Sequence, residues 1–293
     1  MSTMTSANIV DLTGQKIDLT ATWIGWATWW EASLDMGSGI TTIYMQPVRA
    51  LTKERSERAI ANLDGLYYCY LNEVYHEIDL RVGTVVPEGF AAITRYGSPT
   101  GNNVSIDVGD RTTEIIFASG FKLVSRDSEG RTYGVRQVIE NIIAEINTNY
   151  GRVLEIEEVR VLLKAYTAGI RLPRLKVPKG AVDGYLDGDT QREIITRKVI
   201  TMARALAKFV RAALNREGAE IGSNLDTATI YGGGGYIFYG PLRDGIPGDS
   251  ELENGVLHDL YLPPEAEYLN AAYMQELVGQ QTILKPTMWE RRR

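Results

Sequence analysis

The chain has 293 residues, with 31 basic and 37 acidic side chains and a formal net charge of −6. An apolar content of 44% and a charged content of 23% are those of a soluble globular protein, which excludes a disordered, collagenous or coiled-coil chain. At roughly 100–200 residues per domain the length implies two lobes. No apolar run reaches the roughly 18 residues of a membrane span, and Met1 to Gln15 shows no charged leader ahead of an apolar core. A single cysteine, Cys69, and two histidines exclude an internal disulfide and a Cys/His metal framework. The acidic balance argues against a dedicated nucleic-acid coat, which needs a basic face. A cytoplasmic, mixed α/β protein is the expectation.

In chain order, Trp23, Trp26, Trp29 and Trp30 come first, at spacings that put the rings on one helical face. That face reads as buried packing, with an interface to another chain as the alternative. Ile40 to Met45 reads as a strand ended by Pro47, and Thr52 to Leu63 as a helix capped by Thr52. Tyr67 to Leu71, His76 to Arg81 and Thr84 to Val86 read as strands joined by tight turns. Val104 to Phe117 is a strand, a glycine-containing turn and a second strand. A helix from about Val135 to Thr148 follows, with Val138, Ile139, Ile142, Ile143 and Ile146 at helical spacing. Gly169 to Gly188 reads as a connector or small subdomain loop. A long helix is expected from about Thr190 to Asn215, stopped near Gly218. Ala228 to Tyr231 is a short buried strand that delivers the chain into Gly232 to Gly235. The remainder reads as loop-rich to Pro264, then as a helix from Glu265 to Val278.

Two segments carry the chemistry of phosphate binding. In Ile106-Asp107-Val108-Gly109-Asp110-Arg111-Thr112-Thr113-Glu114, an acidic residue ends a strand and two threonines begin the next. Backbone N–H groups and threonine hydroxyls in such a turn can hold a phosphate while Asp107 holds a magnesium-bound water. Taken alone, it is also an ordinary hairpin. In Tyr231-Gly232-Gly233-Gly234-Gly235, the absence of Cβ atoms lets backbone approach a flat ligand, and equally lets a strand turn tightly into a helix. Neither a Walker loop nor a GxGxxG with an acidic partner is present. His76 and His258 read as ordinary turn or surface residues.

The order of these segments resembles the actin-like ATPase superfamily, and most closely its ParM/StbA-type plasmid-segregation actins. Asp107 to Glu114 resembles that family's second phosphate motif, and Gly232 to Gly235 its adenosine motif. Leu262 to Met274 looks like the terminal helix that returns to the first domain. Met45 to Ala50, Glu57-Arg58 and Val85 to Ala92 look like the end of the first domain. The resemblance implies an α/β, actin-like (ribonuclease H-like) two-domain fold with an N-terminally shortened first domain. It divides the chain into a truncated domain I at 1–103, a domain II with a small inserted subdomain at 104–264, and a helix at 265–293 returning to domain I.

Carried over, the resemblance gives Asp107 the magnesium–water role and Thr112 and Thr113 phosphate contacts beside Gly109. Glu88 would polarise the attacking water. The turn at Gly134 would face ribose and phosphates with a helix N-terminus behind it. Arg197 and Lys198 would flank the adenine, and Gly232, Gly233, Gly234 and Gly235 would pack on it. As bare charges those two read as a solvated helix face. The implied cofactors are ATP (or GTP) and Mg2+.

The departures matter as well. The family's first phosphate loop has no counterpart; Asp35 to Thr42 reads as the turn after the tryptophan helix. Asp110 and Arg111 stand where the family has glycines. A left-handed Asp110 would preserve the turn, and Arg111 would offset its charge. Two functions follow. One is a filament-forming, nucleotide-hydrolysing protein that moves or segregates plasmid DNA through a DNA-bound adaptor. The other is a non-enzymatic structural protein on a degenerate actin-like scaffold. Self-association into filaments or oligomers is expected under both, with no membrane and no direct sequence-specific nucleic-acid binding. Arg171, Arg174, Lys176 and Lys179 form a basic, proline-broken patch, either a contact for DNA or adaptor or a solvated loop.

Overall fold

The computed structural model describes residues 9–10, 16–17, 40–46, 53–71, 74–124, 128–180, 182–216 and 224–270. The chain divides into two units, Met1–Arg95 with Tyr268–Arg293, and Tyr96–Glu267. The tryptophan stretch, Thr52 and most of the expected closing helix lie outside the described residues.

The first unit holds strands β1 (Ile9–Val10), β2 (Lys16–Ile17), β3 (Ile40–Gln46), β4 (Gly65–Leu71) and β5 (Val74–Pro87), in sheet order β2-β1-β4-β5-β3. The two strands expected between His76 and Val86 are one continuous β5. Gly83 interrupts the apolar pattern without ending the strand. The register against parallel β3 passes from Thr42–Val82 to Ile43–Thr84, so Gly83 is the bulged residue. Helix α1 (Lys53–Leu63) carries the pairs Lys53–Glu57 and Glu54–Arg58 at i,i+4 spacing on an exposed face. After the buried Pro87, Gly89 turns the chain at φ 94° into a short helix, α2 (Phe90–Tyr96), whose Phe90, Ala91, Ala92 and Ile93 are buried. No sequence period announces α2, which is under two turns long.

The second unit is a sheet covered by helices. Its strands are β6 (Asn102–Val108), β7 (Thr113–Ser119), β8 (Lys122–Leu123), β9 (Glu129–Arg131), β12 (Thr227–Tyr231) and β13 (Leu260–Tyr261). The order is β13-β12-β6-β7-β8, with β9 also paired to β7. β6 and β7 form an antiparallel hairpin, while β12 runs parallel to both β6 and β13. Both hairpin strands are buried on both faces along nearly their whole length, as a doubly covered sheet requires. Asn103 is a polar residue within that burial, and its amide nitrogen donates to the Ser98, Gly101 and Gly120 carbonyls.

Helices α3 (Val135–Tyr150), α4 (Ile156–Thr167), α5 (Gly188–Leu214) and α6 (Gly235–Arg243) complete this unit. Ile139, Ile142, Ile195, Leu206, Val210 and Phe238 from these helices meet Ile106, Ile115 and Ile230 of the strands in one core. Neither α4 nor α6 is among the elements expected from sequence. Glu155 and Glu158 form a capping box at the start of α4, and Val159, Leu162 and Leu163 give it a buried face. α6 contains Gly240 and Pro241, which read as loop but are tolerated because Phe238 and Leu242 are fully buried. The connector from Gly169 to Gly188 contains a two-stranded sheet, β10 (Leu175–Lys176) with β11 (Tyr185–Leu186). At the far end the described chain forms a 3-10 turn, Ala266–Tyr268.

The arrangement places two strand ends together. Tyr231 of β12 lies opposite Asp107 of β6. Parallel strands deliver ligand-binding turns at their carboxyl ends, and both glycine-containing turns leave from this edge.

Candidate functional site

The turn after β6 closes on itself and on α3. The Gly109 amide donates to the Thr112 carbonyl at 2.8 Å. The first two amides of α3, at Val135 and Arg136, donate to the carbonyls of Gly109 and Asp110 at 3.1 and 2.7 Å. Those are two of the donors that a helix N-terminus offers an anion, and both are occupied by the turn. Gly134, extended at φ −160°, permits the contact; a Cβ there would lie 2.4 Å from the Asp110 carbonyl oxygen. Thr113 is fully buried, and its hydroxyl donates to the Tyr133 carbonyl at 2.7 Å. It therefore ties the turn to the chain entering α3 and does not face solvent. Thr112 remains half-buried.

Asp110 keeps the turn without a left-handed backbone: among the described residues the one non-glycine with positive φ is Asp183. Nor does Arg111 offset its charge. Arg136 donates through Nε to Asp110 Oδ2 at 3.1 Å, and Arg160 of α4 reaches Oδ1 at 2.7 Å. Arg111 is exposed. Local sequence holds no cue to these partners, because they come from 26 and 50 residues away.

The turn after β12 uses its glycines differently. Gly232 takes φ 81°, donates to the Ala266 carbonyl, and lies so close to β6 that a Cβ would meet Asp107 Oδ1 at 2.5 Å. Gly234 donates to the Val108 carbonyl, and a Cβ there would meet Val108 Cγ1 at 2.4 Å. These two are needed for packing. Gly235, buried, begins α6 against Leu262. Gly233 is the exception in this turn: it is exposed, and a Cβ on it would meet nothing within 4 Å.

Gly233 opens onto a cleft of ≈ 690 Å³ between α4 and the start of α6, lined among others by Asp110, Arg160, Lys164, Tyr236 and Glu267. Its size suits a nucleotide-sized ligand. Tyr236 is 38% exposed, and its hydroxyl donates to the Pro264 carbonyl at 2.7 Å. A ring fixed at its tip and open on its body is a stacking surface. Charges of both signs line the cleft: Arg160 stands 3.2 Å from Glu157, and Lys164 3.6 Å from Glu267. At the start of α4, the Glu155 amide, helped by Arg152, holds the Glu158 carboxyl below the usual range. Arg160, Lys164 and Tyr236 are absent from the residues picked out in sequence; the capping box Glu155–Glu158 is the signal for the helix that carries the first two.

Arg197 and Lys198 of α5 are not among the residues lining this cleft. Both pair with Glu145 of α3, the lysine at 2.6 Å. Arg197 lines a separate groove with Arg192, Thr196 and Arg204. Glu88, half-buried, follows β5 in the first unit. Within the basic patch, Arg174 stacks on the Tyr185 ring at 4.2 Å and Lys179 donates to the Thr148 carbonyl. Among the described residues no group of three or more His, Cys, Asp or Glu could hold a metal ion. Asp107 is a buried carboxylate opposite the buried Glu114, and a site with so few carboxylates would hold magnesium largely through water and ligand phosphates. No described helix is long and apolar enough to cross a membrane.

No family model and no curated protein matches the chain in sequence. Solved structures do. An archaeal actin homologue in complex with ADP superposes with a TM-score of 0.63 at 17% identity, over 87% of this chain and 76% of that one. The chain has the actin-like fold. Bacillus thuringiensis ParM with AMPPNP gives a TM-score of 0.58 at 13% identity, covering 88% and 72% of the two chains. A ParM filament from Clostridium botulinum gives 0.59 at 16% identity, covering 81% and 66%. Two turns border the cleft, the turn after β6 and the turn after β12. The second leaves a glycine open over the cleft, whereas the first reaches it through the Asp110 side chain.

Proposed function

We propose that this chain is a cytoplasmic, nucleotide-binding actin-like protein that assembles into filaments and moves or segregates plasmid DNA through a DNA-bound adaptor. The observation that carries the reading is the cleft at Gly233, with Tyr236 on one side and Arg160 and Lys164 on the other. Tyr236 would stack on the base, Gly233 would let the ribose approach backbone, and the two cations would meet phosphate oxygens. ADP, ATP or AMPPNP is bound in several of the similar structures, which supports a nucleotide as the ligand class.

Asp107 would hold the water shell of a magnesium ion, and Glu88 would accept a proton from the attacking water. A bound Mg2+ supplies charge neutralisation at the phosphates. Gly232 keeps Asp107 in place, since any larger residue would displace the Oδ1 atom that lies against it. Right-angle light scattering on adding magnesium-ATP tests the reading: a rise that decays as ATP is consumed supports it. No nucleotide binding at high micromolar concentration would overturn it.

One observation favours a second reading, a non-enzymatic actin-like scaffold. The α3 amides and the Thr113 hydroxyl, which the phosphate-binding role would use, are occupied within the protein. Magnesium-dependent ATP turnover abolished by Glu88→Ala would remove this reading.

A further inference from the structure

The cleft holds an anion of its own. Asp110 lines it and takes one guanidinium on each carboxylate oxygen, Arg136 on Oδ2 and Arg160 on Oδ1. This is the arrangement in which arginines bind a phosphate group. The pairing is also incomplete. Arg160 Nε is buried without a hydrogen bond, although Glu157 Oε1 lies 3.2 Å away outside bonding geometry. Asp110, Arg136 and Arg160 are all partly exposed, so the carboxylate can leave its partners for water. Arg136, Arg160 and Lys164 face Asp110, Glu157 and Glu267, which leaves this set electrically balanced.

We propose that Asp110 is a resident competitor for the anionic part of the ligand, and that Arg160 is the phosphate-binding residue it occupies. The inference rests on the nucleotide reading above and adds a regulator to that site. A phosphate entering the cleft displaces the Asp110 carboxylate from Arg160 and accepts from the Nη2–H group so freed. The site then discriminates by charge: phosphorylated ligands compete with Asp110, whereas the uncharged nucleoside does not.

The test compares binding of adenosine with ADP, and of guanosine with GDP, by wild type, Asp110→Asn and Arg160→Gln. Asp110→Asn keeps the shape of the turn and removes the charge. It is expected to tighten the diphosphate about tenfold, which corresponds to about 1.4 kcal/mol, while leaving the nucleoside unchanged. Arg160→Gln is expected to weaken the diphosphate alone. Asp110→Ser serves as a second charge-removing variant, and circular dichroism checks that each is folded. Diphosphate binding that is equal in wild type and both Asp110 variants would overturn the competitor while sparing the nucleotide reading. Absence of nucleoside and diphosphate binding in every protein would overturn both.

Discussion

The turn Gly109 to Thr112 and the turn Gly232 to Gly235 leave neighbouring parallel strands at the same edge of one sheet, yet their hydrogen bonds go to different places. The first gives its carbonyls to the α3 amides and is tied by the Thr113 hydroxyl to Tyr133. The second uses Gly232 and Gly234 to pack on β6 and leaves Gly233 open over a cleft. Two glycine-containing turns of similar promise in sequence thus differ in what they have left to offer a ligand. The deciding quantity is where each backbone donor is already satisfied.

The largest effects are expected where glycine permits close approach. Gly232→Ala combines a left-handed backbone with a clash against Asp107 and is expected to lower unfolding free energy by about 3 kcal/mol. Gly134→Ala, whose Cβ would strike the Asp110 carbonyl, is expected to cost about 2 kcal/mol. Chemical denaturation measures both; a near-neutral Gly232→Ala would mean that the second turn does not pack on β6, and a near-neutral Gly134→Ala that the first turn is not closed on α3. Thr113→Val removes a buried donor and leaves the Tyr133 carbonyl without it, at about 1–2 kcal/mol. Nucleotide affinity should not follow; a parallel loss would place that hydroxyl at the ligand.

A region away from both turns supplies a reference. Arg204 of α5 donates twice to Asp249, whose side chain is nearly buried, and holds its carboxyl below the usual aspartate range. A depressed carboxyl stabilises the fold above its unfolded value and loses that contribution as pH falls through the folded value. Melting temperature should therefore drop on acidification below the ordinary aspartate range, and Asp249→Asn should lower stability at neutral pH and flatten that drop. An unchanged acid profile in the variant would show that this pair does not anchor the loop. The smallest stability change is expected for Gly233→Ala, within about 0.5 kcal/mol, because its Cβ meets nothing. Its effect should appear in nucleotide affinity instead.

Much of the second unit was legible in sequence. The spacing of Val138, Ile139, Ile142 and Ile146 marks α3, and the long apolar period marks both ends of α5 to within two residues. Asp107 and the glycine run stand out together because each ends a buried strand. Pairing across long separations could not be read. Asp110 looks like an unfavourable charge in a phosphate turn until Arg136 and Arg160 are found on it. Lys198 looks free to flank a base until Glu145 is found at 2.6 Å. α6 is hidden by Gly240 and Pro241, since its stability comes from Phe238 and Leu242 in the core and not from local propensity.

The most direct test is a crystal structure of the chain with magnesium-ADP. The account predicts the base on Tyr236 and the ribose at Gly233, with the Val135 and Arg136 amides still bonded to Gly109 and Asp110. Phosphates bonded to those amides and to the Thr113 hydroxyl, with the first turn opened, would contradict it.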